Sequence, residues 1–314
     1  MFHASVKHIR RSDGRSATAA AAYRAAERIE DIRYGEVFDY RRKRHVLAKG
    51  LVTPNGENPP QDRSSLWNMA EMRETRSNAT TAVEWQISLP IALSESENIA
   101  CAQELAKNIA IVNKTVADWT FHKPHSKPVF EEGGMKVANP HVHILLPTRE
   151  WRSGQLTQKC DSEVSSSDRK KRGILTSKKD DLIAIRAMIA DVINFHLQKA
   201  GLDIRVDHRS FADQGVALEP LEHLSRAEVA AEHAGVTTAK GERNRERLAD
   251  RKLLAQMLKT AAEIKALESA IAQTAGAQVE NPNVPEFSDA CHFGSTKVEG
   301  EQEDEVPETC RTTP

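Results

Sequence analysis

The run NPHVHILLP, residues 139–147, places His141 and His143 two residues apart at the head of an apolar segment. Successive side chains of a strand leave opposite faces, so both imidazoles point to one side while Val142 points to the other. Imidazole is a common ligand for divalent cations, but a pair needs a third partner from elsewhere in the chain to hold one ion. The preceding β-type run, VADWTFH, ends at His122. Neighbouring strands joined by a loop usually pair antiparallel, which would bring His122 beside His141 and His143. Three histidines leave positions open for water or a phosphate oxygen, as a catalytic centre requires. His125, in the following loop, competes for the third place. A plainer account is also open: two polar residues at a strand entrance, and a histidine that caps its own strand.

Tyrosine occurs only as Tyr23, Tyr34 and Tyr40, all ahead of the histidines. A phenol that attacks a phosphodiester exchanges one ester for another and keeps the bond energy in a phosphotyrosine, whereas water discards it. Tyr23 lies in ATAAAAYRAAERIED, whose alanines and lack of internal Gly or Pro predict a single helix. Small neighbours allow that helix to sit close to a sheet and a DNA strand to approach it. The alternative is a core anchor with its hydroxyl at the surface.

The elements around these residues read as an α+β chain. FHASVKHI is a first strand, and RYGEVFDYRRKRHVLAKGLV holds short β-type runs around Gly35, most simply a ribbon or hairpin bearing the basic cluster 41–44. Asp62 is placed to cap the helix RSSLWNMAEMRETR, and TTAVEWQISLP is a β-branched run ended by Pro90. Ser94 and Glu97 form a capping box at the head of the next helix. The polar and basic stretch from about 152 to 180 predicts a mobile surface segment, with a flexible solvated loop over 169–179. LIAIRAMIADVINFHLQKAG is an amphipathic helix closed by Gly201, and NRERLADRKLLAQMLKTAAEIKALESAIAQ is a long charged helix with coiled-coil-like spacing. The acidic remainder beyond 275 predicts disorder. The domains expected are a catalytic unit over 1–220, a helical extension over 221–274 and a tail over 275–314.

The net charge of -1 hides a strong asymmetry. Residues 1–52 carry twelve Lys and Arg against six Asp and Glu, and residues 275–314 carry two against nine. A basic front is the electrostatic footprint of a nucleic-acid surface. Arg41, Arg42, Lys43 and Arg44, with Arg24 and Arg28 near Tyr23, are the expected DNA contacts, although a solvated face has the same composition. The four cysteines form no CxxC pair, which points away from a thiolate zinc site and a disulfide framework. Neither a spanning apolar run nor a secretory signal is evident, so the expectation is a cytoplasmic protein without membrane insertion.

VKHIRRSDGRSATAAAAYRAAERI, DYRRKR, EWQISLP, ADWTFH, NPHVHILLPTRE and VDHRSFADQGVALEPLEHL resemble, in order and spacing, the MobA/MobL relaxase family of plasmid mobilisation and conjugative transfer, over roughly residues 1–245. The resemblance implies an HUH-type relaxase: an antiparallel sheet flanked by helices, three histidines around one divalent ion, Mg or Mn, and a tyrosine that nicks one DNA strand at a transfer origin. The family nucleophile falls on Tyr23 and the metal ligands on His122, His141 and His143. Where the family often has two acids spaced by one residue, this chain has Glu84 and then Gln86, leaving Glu84 as an orienter or base. Implied partners are single-stranded DNA at the origin, accessory mobilisation proteins, and a coupling protein with a type IV secretion system. Larger relatives continue into a helicase or primase, for which too little sequence follows residue 245. Two other classes stay open: a three-histidine hydrolase that uses water, and a DNA- or partner-binding module without chemistry. In HUH initiators and transposases the tyrosine typically follows the histidine pair, which is not the order here.

Overall fold

In the computed structural model, which describes residues 2–123, 129–131, 134–136, 140–222 and 224–277, the β-type runs pair into one five-stranded sheet. Along the chain, β1 (Ala4–Arg10) and α1 (Ala17–Ala25) precede a hairpin of β2 (Arg28–Asp31) and β3 (Glu36–Asp39). Then come β4 (Val46–Val52), α2 (Arg63–Arg73), β5 (Thr80–Ser88), α3 (Glu95–Asn113) and β6 (Ala117–His122). A short ribbon of β7 (Val129–Glu131) and β8 (Gly134–Lys136) leads to β9 (His141–Pro147). A second hairpin, β10 (Arg149–Arg152) and β11 (Gln155–Lys159), is followed by α4 (Ser166–Lys171), α5 (Lys178–Lys199), α6 (Arg226–His233) and α7 (Ala239–Ala277). Sheet order is β1-β5-β9-β6-β4, with every adjacent pair antiparallel. This is the α+β fold, an antiparallel sheet flanked by helices and followed by a helical C-terminal stretch, that the sequence leads one to expect.

Alternation along the strands divides the sheet into two faces. Trp85, Ile87, Trp119, Phe121, Val142 and Ile144 meet α3 and α5 through residues such as Leu105, Ile109, Ile189 and Ile193. Each fully buried Leu or Ile there stabilises the fold by about 1.5–3 kcal/mol. On the opposite face Ile9, Ala82 and Leu145 pack with Ala21 and Ala22 of α1 and with Leu66 and Trp67 of α2. The alanines of α1 are what let it lie close, as their sequence suggested. Both predicted caps are present: Asp62 accepts from Ser65, and Ser94 with Glu97 closes a capping box.

Three local expectations change. Helix α1 stops at Ala25, because Ala26 turns left-handed (φ 53°) and residues 28–31 pair with β3 instead. Alanine favours helix locally, but Ile29 finds the core only as a strand residue, and the buried Asp31 carboxylate accepts from Ser16 and Thr18 at the start of α1. The run 46–52 is not part of the ribbon but the edge of the main sheet, where Gly50 lies so close to Trp119 that a Cβ would sit 2.9 Å from its Nε1. Finally, the segment expected to be a flexible loop folds as β11 and α4. Arg169 is buried there, donating to the carbonyls of Asp161 (2.8 Å) and Thr176 (2.9 Å) and pairing with Asp181.

Residues 1–252 form one compact unit. Residues 253–277, the remainder of α7, expose Leu253, Met257, Ile264 and Leu267. The acidic tail from 278 lies outside the described residues. No helix among the described residues is long and apolar enough to cross a membrane.

Candidate functional site

Pairing of β6 with β9 sets His122 directly opposite His141, and His143 follows two residues on, opposite Thr120. Ring centroids are 5.4 Å apart for 122 and 141, 4.8 Å for 122 and 143, and 5.0 Å for 141 and 143. One nitrogen from each ring can be chosen so that all three lie within 4.8 Å of one another. His125 lies outside the described residues.

Two of the rings have their tautomer set by a partner that can only accept. His122 donates from Nε2 to the carbonyl of Arg24 at 2.7 Å, which leaves its Nδ1 lone pair available. His143 donates from Nδ1 to Glu84 Oε1 at 2.6 Å, which leaves Nε2. Burial pushes His122 down to about 3, reinforced by His143, Lys43 and His141 around it. Burial likewise lowers His143. Neutral imidazoles whose other nitrogen is anchored are the form in which histidine ligates a metal, so the donor set fits a divalent ion.

Glu84 is the hub of that anchoring. It is 2% exposed and receives Arg24 Nε at 2.6 Å and Arg24 Nη2 at 3.0 Å as well as His143. Burial alone would raise its pKa, but the hydrogen bonds from His143 and Arg24 outweigh this and hold the carboxyl at about 2. A carboxylate so committed orients its neighbours and is a poor base. Gln86, where a second acid was sought, lies opposite His143 on β5.

Tyr23 sits in the last turn of α1, 44% exposed. Lys43 Nζ lies 3.7 Å from its ring centroid, and the Tyr40 ring meets it edge-on at 5.1 Å. The end of the helix is held through its carbonyls, which an α-helix leaves without intrahelical donors in the last turn. Ala22 accepts from Glu27 N (3.0 Å), Tyr23 from Lys43 Nζ (2.9 Å), Arg24 from His122 Nε2 (2.7 Å) and Ala25 from Lys49 Nζ (2.8 Å). Two lysines at the negative end of the helix dipole are electrostatically favoured as well. Tyr34 lies apart in the β2–β3 turn, under Arg33.

The basic residues expected on DNA thus divide. Arg24 is committed to Glu84, and Lys43 to Tyr23. Arg41 forms an exposed ion pair with Asp39 at 2.6 Å, and exposed Arg28 faces Asp39 across the hairpin. Arg42 and Arg44 are exposed and make no ion pair among the described residues.

Sequence reasoning missed the layer beneath α1. Arg63 donates from Nε to both oxygens of buried Asp118 at 2.9 Å and pairs with Glu27, while Trp67 Nε1 donates to Asp118 at 2.7 Å. Glu27 also pairs with Lys49 at 2.7 Å. Burial, which alone would lower the Arg63 pKa, is outweighed by Asp118 and Glu27, and the guanidinium is held firmly charged. One signal was available: Asp118, Thr120 and His122 alternate along an otherwise apolar strand, so they share a face.

The fold and site together define an α+β protein in which the tyrosine-bearing helix abuts three sheet-borne imidazoles that could hold a metal ion. The chain belongs to the MobA/MobL family, whose model matches residues 15–234. It is 34% identical over 263 residues to the mobilization protein MobL of Acidithiobacillus ferridurans, an alignment covering 79% of this chain and 66% of that protein. To the conjugal transfer protein TraA of Rhizobium radiobacter it is 30% identical over 242 residues, 71% of this chain but 21% of that protein. The chain therefore spans less than two thirds of the first relative's length and about a fifth of the second's. A solved structure described as the molecular basis of vancomycin resistance transfer in Staphylococcus aureus matches with 28% identity and a TM-score of 0.54, covering 67% of this chain and 99% of that one.

Proposed function

We propose that this chain is a relaxase that nicks one strand at a plasmid transfer origin by tyrosine transesterification, starting conjugative mobilisation. The observation that carries this reading is the 2.7 Å bond from His122 to the carbonyl of Arg24, which ties the residue next to Tyr23 to the three-histidine cluster. In the reaction, Tyr23 Oη attacks the scissile phosphorus in line and the bond to the 3'-oxygen breaks. The products are a 5'-phosphotyrosyl strand on the enzyme and a free 3'-hydroxyl, and reversal reseals the DNA. Lys43, with its ammonium 3.7 Å from the Tyr23 ring centroid, restrains the ring by cation–π attraction. His122, His141 and His143 would hold a divalent ion, Mg or Mn, which when bound supplies Lewis acidity toward a non-bridging oxygen of the scissile phosphate. Glu84 and Arg24 fix His143 and the helix end. On this reading Arg28, Arg41, Arg42 and Arg44 contact backbone phosphates.

On this reading residues 1–220 are the nicking domain, 221–274 a helical extension and 275–314 an acidic tail. Partners are single-stranded origin DNA, accessory mobilisation proteins and a coupling protein of a type IV secretion system, met in the cytoplasm.

The deciding experiment incubates end-labelled single-stranded DNA bearing the element's transfer origin with the protein, in Mn or in chelator, beside Tyr23→Phe. A metal-dependent covalent adduct absent in the variant is expected. Cleavage without adduct, unchanged by the substitution, would instead assign a water-using hydrolase; no cleavage would leave a binding role.

A further inference from the structure

The run VDHRSFADQGVALEP carries part of the family likeness but contributes nothing to the three-histidine site. It forms one wall of a cleft of about 600 Å³, whose other walls are Phe2, Arg186 of α5 and Arg251 of α7. Internal hydrogen bonds hold the wall in shape: Val216 N to Phe211 O at 2.9 Å, Gln214 N to Ser210 O at 3.0 Å, and Ser210 Oγ to Asp213 at 2.6 Å. Two aromatic rings line the cleft, each under a guanidinium: Arg186 is 5.0 Å from the Phe2 centroid and Arg251 is 5.2 Å from that of Phe211.

The charges of this cleft are unevenly satisfied. Its acids are already paired, Asp207 with Arg209 at 2.7 Å and Glu219 with Arg247 at 2.6 Å. Arg186 donates to the Ala4 carbonyl and has no carboxylate partner among the described residues, and burial lowers its pKa. Arg251 donates from Nη2 to Glu219 O at 2.6 Å, while its Nε is buried without a hydrogen-bond partner. Uncompensated cations beside apolar rings suit a ligand that is anionic in one part and flat and aromatic in another.

The position is as telling as the composition. His122 pairs with His141, His141 with Ser88, and Ser88 N donates to His3 O at 3.0 Å. The row of metal-site histidines thus runs across the sheet to the residue beside Phe2. Two strand spacings, about 10 Å, separate β9 from β1 along that row. Phe2 and α5 lie on the face of the sheet opposite the histidines, so a single strand leaving the histidines reaches the cleft by rounding the sheet edge formed by β1.

We infer that this cleft is a second DNA subsite, which takes an unstacked nucleobase between Phe2 and Phe211 with its flanking phosphate on Arg186 and Arg251. Bases stack on aromatic side chains irrespective of sequence, and arginine adds cation–π attraction. The inference rests on the proposed relaxase reading and adds to it a grip on the strand away from the scissile bond.

The test uses the full chain and two fluorescein-labelled single strands of equal length, one of mixed sequence and one abasic throughout. Phe211→Leu, which keeps apolar volume but removes the ring, is expected to weaken the mixed strand about tenfold and leave the abasic strand unchanged. Phe2→Leu should behave alike. Ultraviolet crosslinking of a 5-iododeoxyuridine strand, which needs no variant to fold, should map to Phe2 or Phe211. Equal affinity in wild type and both variants, with crosslinks elsewhere, would overturn the subsite alone. Failure of the wild type to bind either strand would overturn the relaxase reading and the subsite together.

Discussion

Between the sheet and the helices α3 and α5 the contacts are made by Leu105, Ile144, Ile189 and Ile193, whereas between the sheet and the helices α1 and α2 lie Glu71, Glu84, Asp118 and Arg63, none more than 7% exposed. The first layer is filled by volume, and its residues are interchangeable within limits of size and shape. The second sets matched charges among its apolar contacts, and each charged member is stable only while its partner is present. Apolar packing would hold α1 against the sheet but would tolerate small slips of the helix. At the start of the helix Ala17 N donates to buried Glu71 at 2.7 Å, and at its end the Arg24–Glu84 pair at 2.6 Å, with the Lys49, Glu27, Arg63 and Asp118 chain, holds a set position. The charged layer lies on the side where His122 and Tyr23 must be held in register.

The sharpest way to break this contrast is Asp118→Ala, which strands Arg63 and the Trp67 N–H. It should cost about 3–5 kcal/mol in urea unfolding. A loss under about 1 kcal/mol would show that the charged layer is solvated and not a true interior. Next in size, Glu84→Gln should weaken Mn binding, measured by calorimetry, about 10–100-fold while the circular dichroism stays native. Unchanged affinity would mean that His143 needs no carboxylate to orient it. On the apolar side Ile189→Val should cost only about 0.5–1.5 kcal/mol and leave Mn affinity untouched; a coupled loss of metal binding would erase the distinction between the faces.

The smallest effect concerns pH at Glu74, an ion-pair centre remote from the histidines. Burial alone would raise this carboxyl, but Lys159 and Arg149 outweigh it and the pKa falls below 4.5. A depressed folded pKa means that the unfolded chain binds the proton more readily, so the contribution is present above pH 4.5 and lost as pH falls toward the folded value. The melting-temperature gap between wild type and Glu74→Gln should therefore narrow from about pH 6 to about pH 3. A gap independent of pH would remove ionisation from the explanation.

The apolar layer was largely legible in the sequence, because strand alternation, helix periodicity and the cap at Ser94 are written over a few residues. The grouping of His122, His141 and His143 was legible for the same reason: one antiparallel pairing and period-2 alternation suffice. The charged layer was not. Arg24 meets Glu84 across 60 positions, and Arg63 meets Asp118 across 55, so no local pattern announces either bond. Arg24 and Lys43 consequently read as DNA contacts, since arginine or lysine in a basic run looks the same whether its partner is a phosphate, a carboxylate or a phenol. The end of α1 at Ala25 was hidden by the same lack, since alanines favour helix and only the pairing of β2 with β3 argues otherwise.

The bond from His122 to the carbonyl of Arg24 has an evolutionary consequence. Its acceptor belongs to the main chain, so no substitution at position 24 deletes it as long as the helix ends where it does. The Arg24–Glu84 pair, by contrast, disappears with one codon change. The link between tyrosine helix and histidine cluster is thus inherited with the backbone, whereas the side chain at 24 is held in place only by its service to buried Glu84.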